Sequence, residues 1–144
     1  MSDEATVHYE DFIDNMITGH RYLEEEFGIK TNIGWHLDPF GHQAASAALF
    51  AEMGFDAWFF ARIDYQDKEK RVNESTLEYV WRPMQEDWGS RGEIFTHTLY
   101  HHYSAPSGFC FDDRCADMPI VDDPTLEDYN VDSRIADFHD WVVH

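Results

Sequence analysis

The chain has 144 residues, 43% of them hydrophobic and 16% aromatic, with a formal net charge of -19 from 29 acidic and 10 basic side chains. That much apolar side chain supplies one folded core and excludes a disordered tail. A charge so negative, without a basic patch, excludes nucleic acid and anionic membrane surfaces as partners.

No apolar run approaches the ~18 residues of a transmembrane helix. The first twenty residues are acidic and amphipathic, without the basic head and apolar block of a signal peptide. Phe12, Met16, His20, Leu23 and Phe27 recur three or four apart, which predicts a helix ended by Gly28. Ile33 to Leu37 reads as a short strand, closed by Asp38-Pro39 because proline restricts its predecessor and cannot extend a ladder. Gly41 permits a sharp turn, and Gln43 to Met53 is rich in strong helix formers, with Gly54 at the expected C-cap. Phe55 to Ala61 follows as a second apolar strand.

Strand, loop, helix and strand in this order predict a βαβ unit and a parallel sheet, whose ligand sites lie beyond the carboxyl ends of the strands. Asp38 and Arg62 fall at two such ends. Beyond Lys68 the pattern weakens: Thr76 to Arg82 is a strand or a short helix, and Pro83 to Gly92 a polar loop. Ile94 to Tyr103 is β or irregular. Asp132 to His144 reads as a helix with Ile135, Phe138 and Val142 on one face. There is no internal repeat or linker.

Asp38 is the leading candidate for chemistry, a carboxylate held where a strand hands over to a loop and a helix. On spacing alone, Asp-Pro-Phe-Gly is equally an ordinary turn. Arg62 stands near Asp64 and Asp67 and could form only a surface ion network with them. His97, His101 and His102 suggest a metal site, but a non-helical reading removes the i,i+4 pairing that would bring His97 and His101 together. His36 shares a strand face with Asp38 and is read as packing or hydrogen bonding. Cys110 and Cys115, with four residues between them, can close a small ring. A zinc site would need a second pair of ligands. Asn73-Glu74-Ser75 is a glycosylation sequon, which chance also produces.

The run GWHLDPFGH at Gly34 to His42 resembles the signature of the family 38 glycoside hydrolases, most closely the lysosomal-type α-mannosidases. The resemblance extends in order through MSDEATVHY at Met1 to Tyr9, Leu49 to Lys68, Val80 to Pro83 and CFDDRC at Cys110 to Cys115. Gln43 departs from it, standing where the family usually has serine. The fold implied is α/β, part of a βαβ-built parallel-sheet or distorted-barrel catalytic domain that is incomplete in this chain, with residues 1–144 a partial N-terminal catalytic domain. The Met-x-Asp-Glu-Ala run then lies inside a longer polypeptide. The high aromatic content agrees, because a βαβ segment needs further layers to bury its faces.

The resemblance gives Asp38 two roles, nucleophile of a retaining glycosidase and ligand of an active-site zinc. Such a carboxylate attacks the anomeric carbon to form a covalent glycosyl-enzyme. It also places Phe40 against the sugar, with Arg62 and Tyr103 as hydrogen-bonding residues, and implies a Cys110–Cys115 disulfide. A mannose-containing oligosaccharide substrate and a lysosomal destination through the secretory pathway complete the picture. The family's acid/base aspartate and its other zinc ligands, a His-x-Asp pair and a histidine, fall at positions outside these residues. His36 with Asp38 and His139-Asp140 are the nearest lookalikes. A retaining, zinc-dependent α-mannosidase whose site is completed by the remainder of the polypeptide is therefore the leading expectation. A truncated, non-catalytic remnant or carbohydrate-binding fragment is the alternative, and a histidine-rich metal-binding protein the third.

Overall fold

The computed structural model describes residues 1–143, which divide into a unit from Met1 to Tyr103 and a second from Ser104 onward. In the first, α1 (Tyr9–Phe27) precedes β1 (Ile33–Trp35), α2 (Ala44–Glu52), β2 (Ala57–Phe60), α3 (Tyr65–Glu74), β3 (Glu78–Trp81), α4 (Gln85–Trp88), a 3-10 turn (Gly89–Gly92) and β4 (Ile94–Thr98). The sheet runs β1-β2-β4-β3. β1, β2 and β4 are parallel and β3 is antiparallel to β4, so the expected parallel sheet carries one reversed edge strand.

The register follows from side-chain size. Gly34 lies opposite Trp58, and Trp58 opposite Thr96. The Phe50 ring of α2 descends onto Gly34 and stacks on Trp58 with centroids 5.0 Å apart. A Cβ on Gly34 would lie 2.9 Å from a Phe50 ring carbon, so glycine is required there for close approach. Ala47 and Ala48, both fully buried, let α2 settle against the sheet. Phe12 of α1 meets Phe50 edge-on at 5.5 Å, and Phe55, Phe60 and Ile94 complete the core.

That core lies on one face of the sheet. The opposite face presents Ile33, Trp35, Val80 and Phe95, all exposed, an apolar surface of the kind that parallel sheets normally bury.

α1 begins at His8, whose ring accepts from the Glu10 N–H, and ends at left-handed Gly28 as expected. Phe27 departs from the predicted face: it is exposed and packs edge-on against Tyr22. α2 is capped by Met53, and Gly54, one residue further, takes the positive φ. Pro83 to Gly92, expected as a polar loop, contains α4 and the 3-10 turn, whose buried Gly92 faces α2 so that a Cβ added there would lie 3.7 Å from the Ala48 methyl. α3 carried no expectation, and none of its residues is buried.

In the second unit Cys110 and Cys115 are bonded, their Cα atoms 5.8 Å apart. α5 (Val131–Val143) reproduces the expected helix up to His144, which lies outside the described residues. Arg134 lies over the Phe109 ring and donates to the Gly108 carbonyl, and Phe138 packs edge-on against Phe109. Ile135, Phe138 and Val142 do share a face, lining an open apolar groove of about 530 Å³ with Ile120. No helix among the described residues is long and apolar enough to cross a membrane.

Two glycines separate close approach from helix propensity. Gly34→Ala is expected to lower stability by about 1–3 kcal/mol, because overpacking against a stacked ring has no cheap relief. Gly19→Ala in α1, with no atom within 4 Å of the added methyl, is expected to raise it by about 0.5–1 kcal/mol. Urea unfolding of both variants checks this, and an unchanged midpoint for Gly34→Ala removes Phe50 from its place above the glycine.

Candidate active site

Parallel pairing brings the carboxyl ends of β1, β2 and β4 to one edge of the sheet. Trp35 is in register with Phe59; Asp38 lies three residues beyond the first and Arg62 three beyond the second. Backbone bonds carry the alignment past the strands, from His36 N–H to Phe59 O (2.9 Å) and from Ala61 N–H to Leu37 O (3.2 Å). Arg62 Nε donates to Asp38 Oδ1. Tyr103 arrives from beyond β4 through a turn in which His102 adopts φ 61°, and its hydroxyl lies 3.4 Å from Arg62 Nη2.

The Asp38 carboxyl is held below the usual aspartate range, first by the Tyr103 hydroxyl and then by the Arg62 guanidinium. An ionised, oriented carboxylate at a strand end is the state a nucleophile requires. Phe40, 83% exposed, offers its ring beside the carboxylate, with the Arg62 guanidinium 5.0 Å from the ring centre. Phe40, His42, Arg62, Asp64, Tyr79 and Trp81 border an open cavity of about 600 Å³. Asp38, Phe40, Arg62 and Tyr103 are thus brought together.

The surface ion network considered for Arg62 does not form. Asp64 instead caps α3, accepting from the N–H groups of Gln66 and Asp67, while Asp67 pairs with Arg71. His97 pairs across the sheet with Glu78 at 2.7 Å. Asn73 is exposed in the last turn of α3. Among the described residues no three His, Cys, Asp or Glu side chains gather as metal ligands. A zinc ion needs three or four such donors, so these residues do not by themselves fit one. Asp38 contributes a single carboxylate, and one of its oxygens takes Arg62.

Two supporting residues had escaped the sequence reading. His42 Nε2 donates to the Arg62 carbonyl at 2.7 Å, while its ring lies against Phe60 at 4.0 Å. Burial pushes its pKa down, which favours the neutral imidazole. Glu4, 8% exposed, lies beneath the loop that carries Asp38. Its Oε1 accepts from His36 Nε2 at 3.0 Å, and its Oε2 from the Gln43 N–H at 2.9 Å and the Ser46 hydroxyl at 2.7 Å. His36 therefore serves in hydrogen bonding and packing, as expected. The Gln43 side chain makes no capping bond, so the departure from serine leaves Ser46 as the hydroxyl donor here. A GH dipeptide closing the motif was the available signal for His42, and the MSDEATVHY resemblance marked the segment of Glu4 without giving it a role.

The whole described chain, residues 1–143, matches the family model "Glycosyl hydrolases family 38 N-terminal domain". The chain belongs to glycosyl hydrolase family 38. Among its family 38 relatives, an α-mannosidase of Arabidopsis thaliana is 50% identical over 139 residues, covering 96% of this chain. Lysosomal α-mannosidases of Dictyostelium discoideum and Homo sapiens are 47% and 41% identical, again over 96% of this chain. The chain spans 13–14% of the length of these relatives.

Its three donors make Glu4 a source of pH-dependent stability. Desolvation raises its pKa, but the donors His36, Gln43 and Ser46 outweigh it and leave the carboxyl below its usual value. A depressed folded-state pKa gives stability that is complete above the unfolded value and lost as pH falls through the folded one. The loss is thus expected below about pH 4.3. Unfolding measured from pH 3 to 7 should show an acid limb that flattens in Glu4→Gln, and an unaltered limb assigns the acid sensitivity elsewhere.

Proposed function

We propose that the chain is the nucleophile-bearing segment of a retaining α-mannosidase that removes terminal α-mannose from oligosaccharides and glycoproteins, with Asp38 attacking the anomeric carbon. The observation that carries this reading is the convergence of Asp38, Arg62 and Tyr103 from three parallel strand ends, beside exposed Phe40. The α-mannosidase names of the family 38 relatives supply the substrate class.

In this mechanism Tyr103 and Arg62 keep Asp38 ionised and aimed, and Phe40 offers an apolar face to the sugar ring. Departure of the aglycone requires an acid about 5 to 5.5 Å from the nucleophile. That acid belongs to the remainder of the polypeptide in this proposal, as do the further ligands of a zinc ion to which Asp38 contributes its carboxylate. The metal's chemistry when bound is to grip sugar hydroxyls and polarise the site. Lysosomal residence by the secretory route is part of the same reading, supported by the lysosomal relatives and by a Cys110–Cys115 bridge suited to an oxidising compartment. Glycosylation of exposed Asn73 is compatible with that route.

The test uses an enzyme of full family length that carries this segment. Asp38→Ala is expected to lower turnover of an α-mannoside by several orders of magnitude and to reduce bound zinc, since one change removes nucleophile and ligand. Chelation should lower activity of the unsubstituted enzyme. A fluorinated mannosyl donor should label Asp38, read by peptide mass spectrometry, and the first sugar released should keep its anomeric configuration. Full activity in Asp38→Ala, or an inverted product, sinks the assignment.

A further inference from the structure

The Asp38 loop is tethered at both shoulders by one buried side chain that comes from far away in sequence. Leu37 to His42 connect His36, which extends the pairing of β1, to Gln43, which opens α2. His36 Nε2 reaches Glu4 Oε1, while the Gln43 N–H and the Ser46 hydroxyl reach Glu4 Oε2. The same carboxylate therefore holds the entry and the exit of the six residues that include Asp38 and Phe40. A third tie from the same segment is the Met1 sulfur, which accepts from the Asp38 N–H at 2.9 Å.

We propose that Glu4 is a positioning residue of the glycosidase site, fixing the Asp38 loop between β1 and α2. The proposal rests on the reading of Asp38 as nucleophile. Its physical basis is the fork of a carboxylate, whose two oxygens take donors from two different elements at once. A fixed spacing between His36 and Gln43 restricts the loop to few conformations, and attack at an anomeric carbon tolerates little displacement. A purely stabilising buried acid would have no reason to bond both ends of the reactive loop. Asp3 completes the support by accepting from the N–H groups of Ala5 and Thr6 at 2.7 and 2.9 Å, which fixes the turn that presents Glu4.

The experiment compares Glu4→Gln, Phe55→Leu and Asp38→Ala in the full-length enzyme. A glutamine keeps the length but has one acceptor oxygen, so it cannot hold both sets of donors. Glu4→Gln should lower kcat about 10- to 100-fold with KM within about threefold, and speed amide exchange selectively at Leu37 to His42. Phe55→Leu loosens the core away from the loop and should lower Tm while leaving kcat within about twofold. If Glu4→Gln does not fold, Ser46→Ala decides, because it removes one donor while Glu4 stays buried; a several-fold drop in kcat is expected. A kcat unchanged in the folded Glu4 variant, or in Ser46→Ala when that variant must decide, overturns the positioning role. A Phe55→Leu variant that loses as much kcat as Glu4→Gln at equal Tm overturns it too. Asp38→Ala keeps the two ideas apart, since its retained activity removes the nucleophile reading, whereas its inactivity beside an unaffected Glu4 variant removes the positioning inference alone.

Discussion

Parallel pairing of β1 with β2 and of β2 with β4 is the constraint on which the site depends. Parallel strands leave the sheet in the same direction, so residues a few positions past their ends meet without any long loop. The register makes this quantitative, because Asp38 and Arg62 lie equally far beyond the paired residues Trp35 and Phe59. A slip of one residue would turn each side chain to the other face and separate the pair. The bulky aromatic layer forbids that slip: a side chain at position 34 would clash with Phe50, and Phe50 stacks on Trp58. Packing in the core thus sets the geometry at the rim.

The same layer explains why α2 is short and apolar. It must return the chain from Asp38 to the start of β2 while burying Ala47, Ala48 and Phe50 against strands of only three and four residues. Three large side chains, Phe50, Trp58 and Phe60, are essentially removed from water, and each such burial is worth roughly 1.5–3 kcal/mol. Trp81 stacks on Trp58 at 5.4 Å with their planes 3° apart, which ties the antiparallel edge strand into the layer. The reversed strand β3 also brings Tyr79 and Trp81 to the cavity beside Arg62, a wall that three parallel strands alone would not supply.

Legibility in the sequence followed local punctuation. β1, the Asp38 turn and α2 were readable because Asp-Pro, Gly41 and Gly54 mark boundaries around apolar runs, and the structure moves those boundaries by a residue or two. α3 was not readable, since a helix with no buried residue leaves no apolar stripe for periodicity to detect. α4 is a single turn and escaped for a similar reason. Asp38 and Arg62 were placed by strand-end logic, and Phe40 and Tyr103 by resemblance. Glu4 lay in the MSDEATVHY segment of the resemblance but had no role legible in the sequence, because its partners lie 32 to 42 positions away and nothing local separates it from the chain's other acids. Only tertiary packing distinguishes a buried carboxylate from a solvated one.

Those acids pose an electrostatic problem that the site solves locally. With a net charge of -19, the molecule's field opposes any further negative charge, and at low ionic strength it would favour protonated carboxyls. Screening limits that field to about 8 Å at physiological salt. Hydrogen-bond donors in contact act well inside this distance. Asp38 is therefore governed by Tyr103 and Arg62, and Glu4 by His36, Gln43 and Ser46, not by the surrounding acidic surface. Both carboxylates are held ionised by contacts a few ångströms long, and in both the donors come from elements that the parallel sheet has already placed. The fold thereby gives Asp38 and Glu4 each its own set of donors within the acidic molecule.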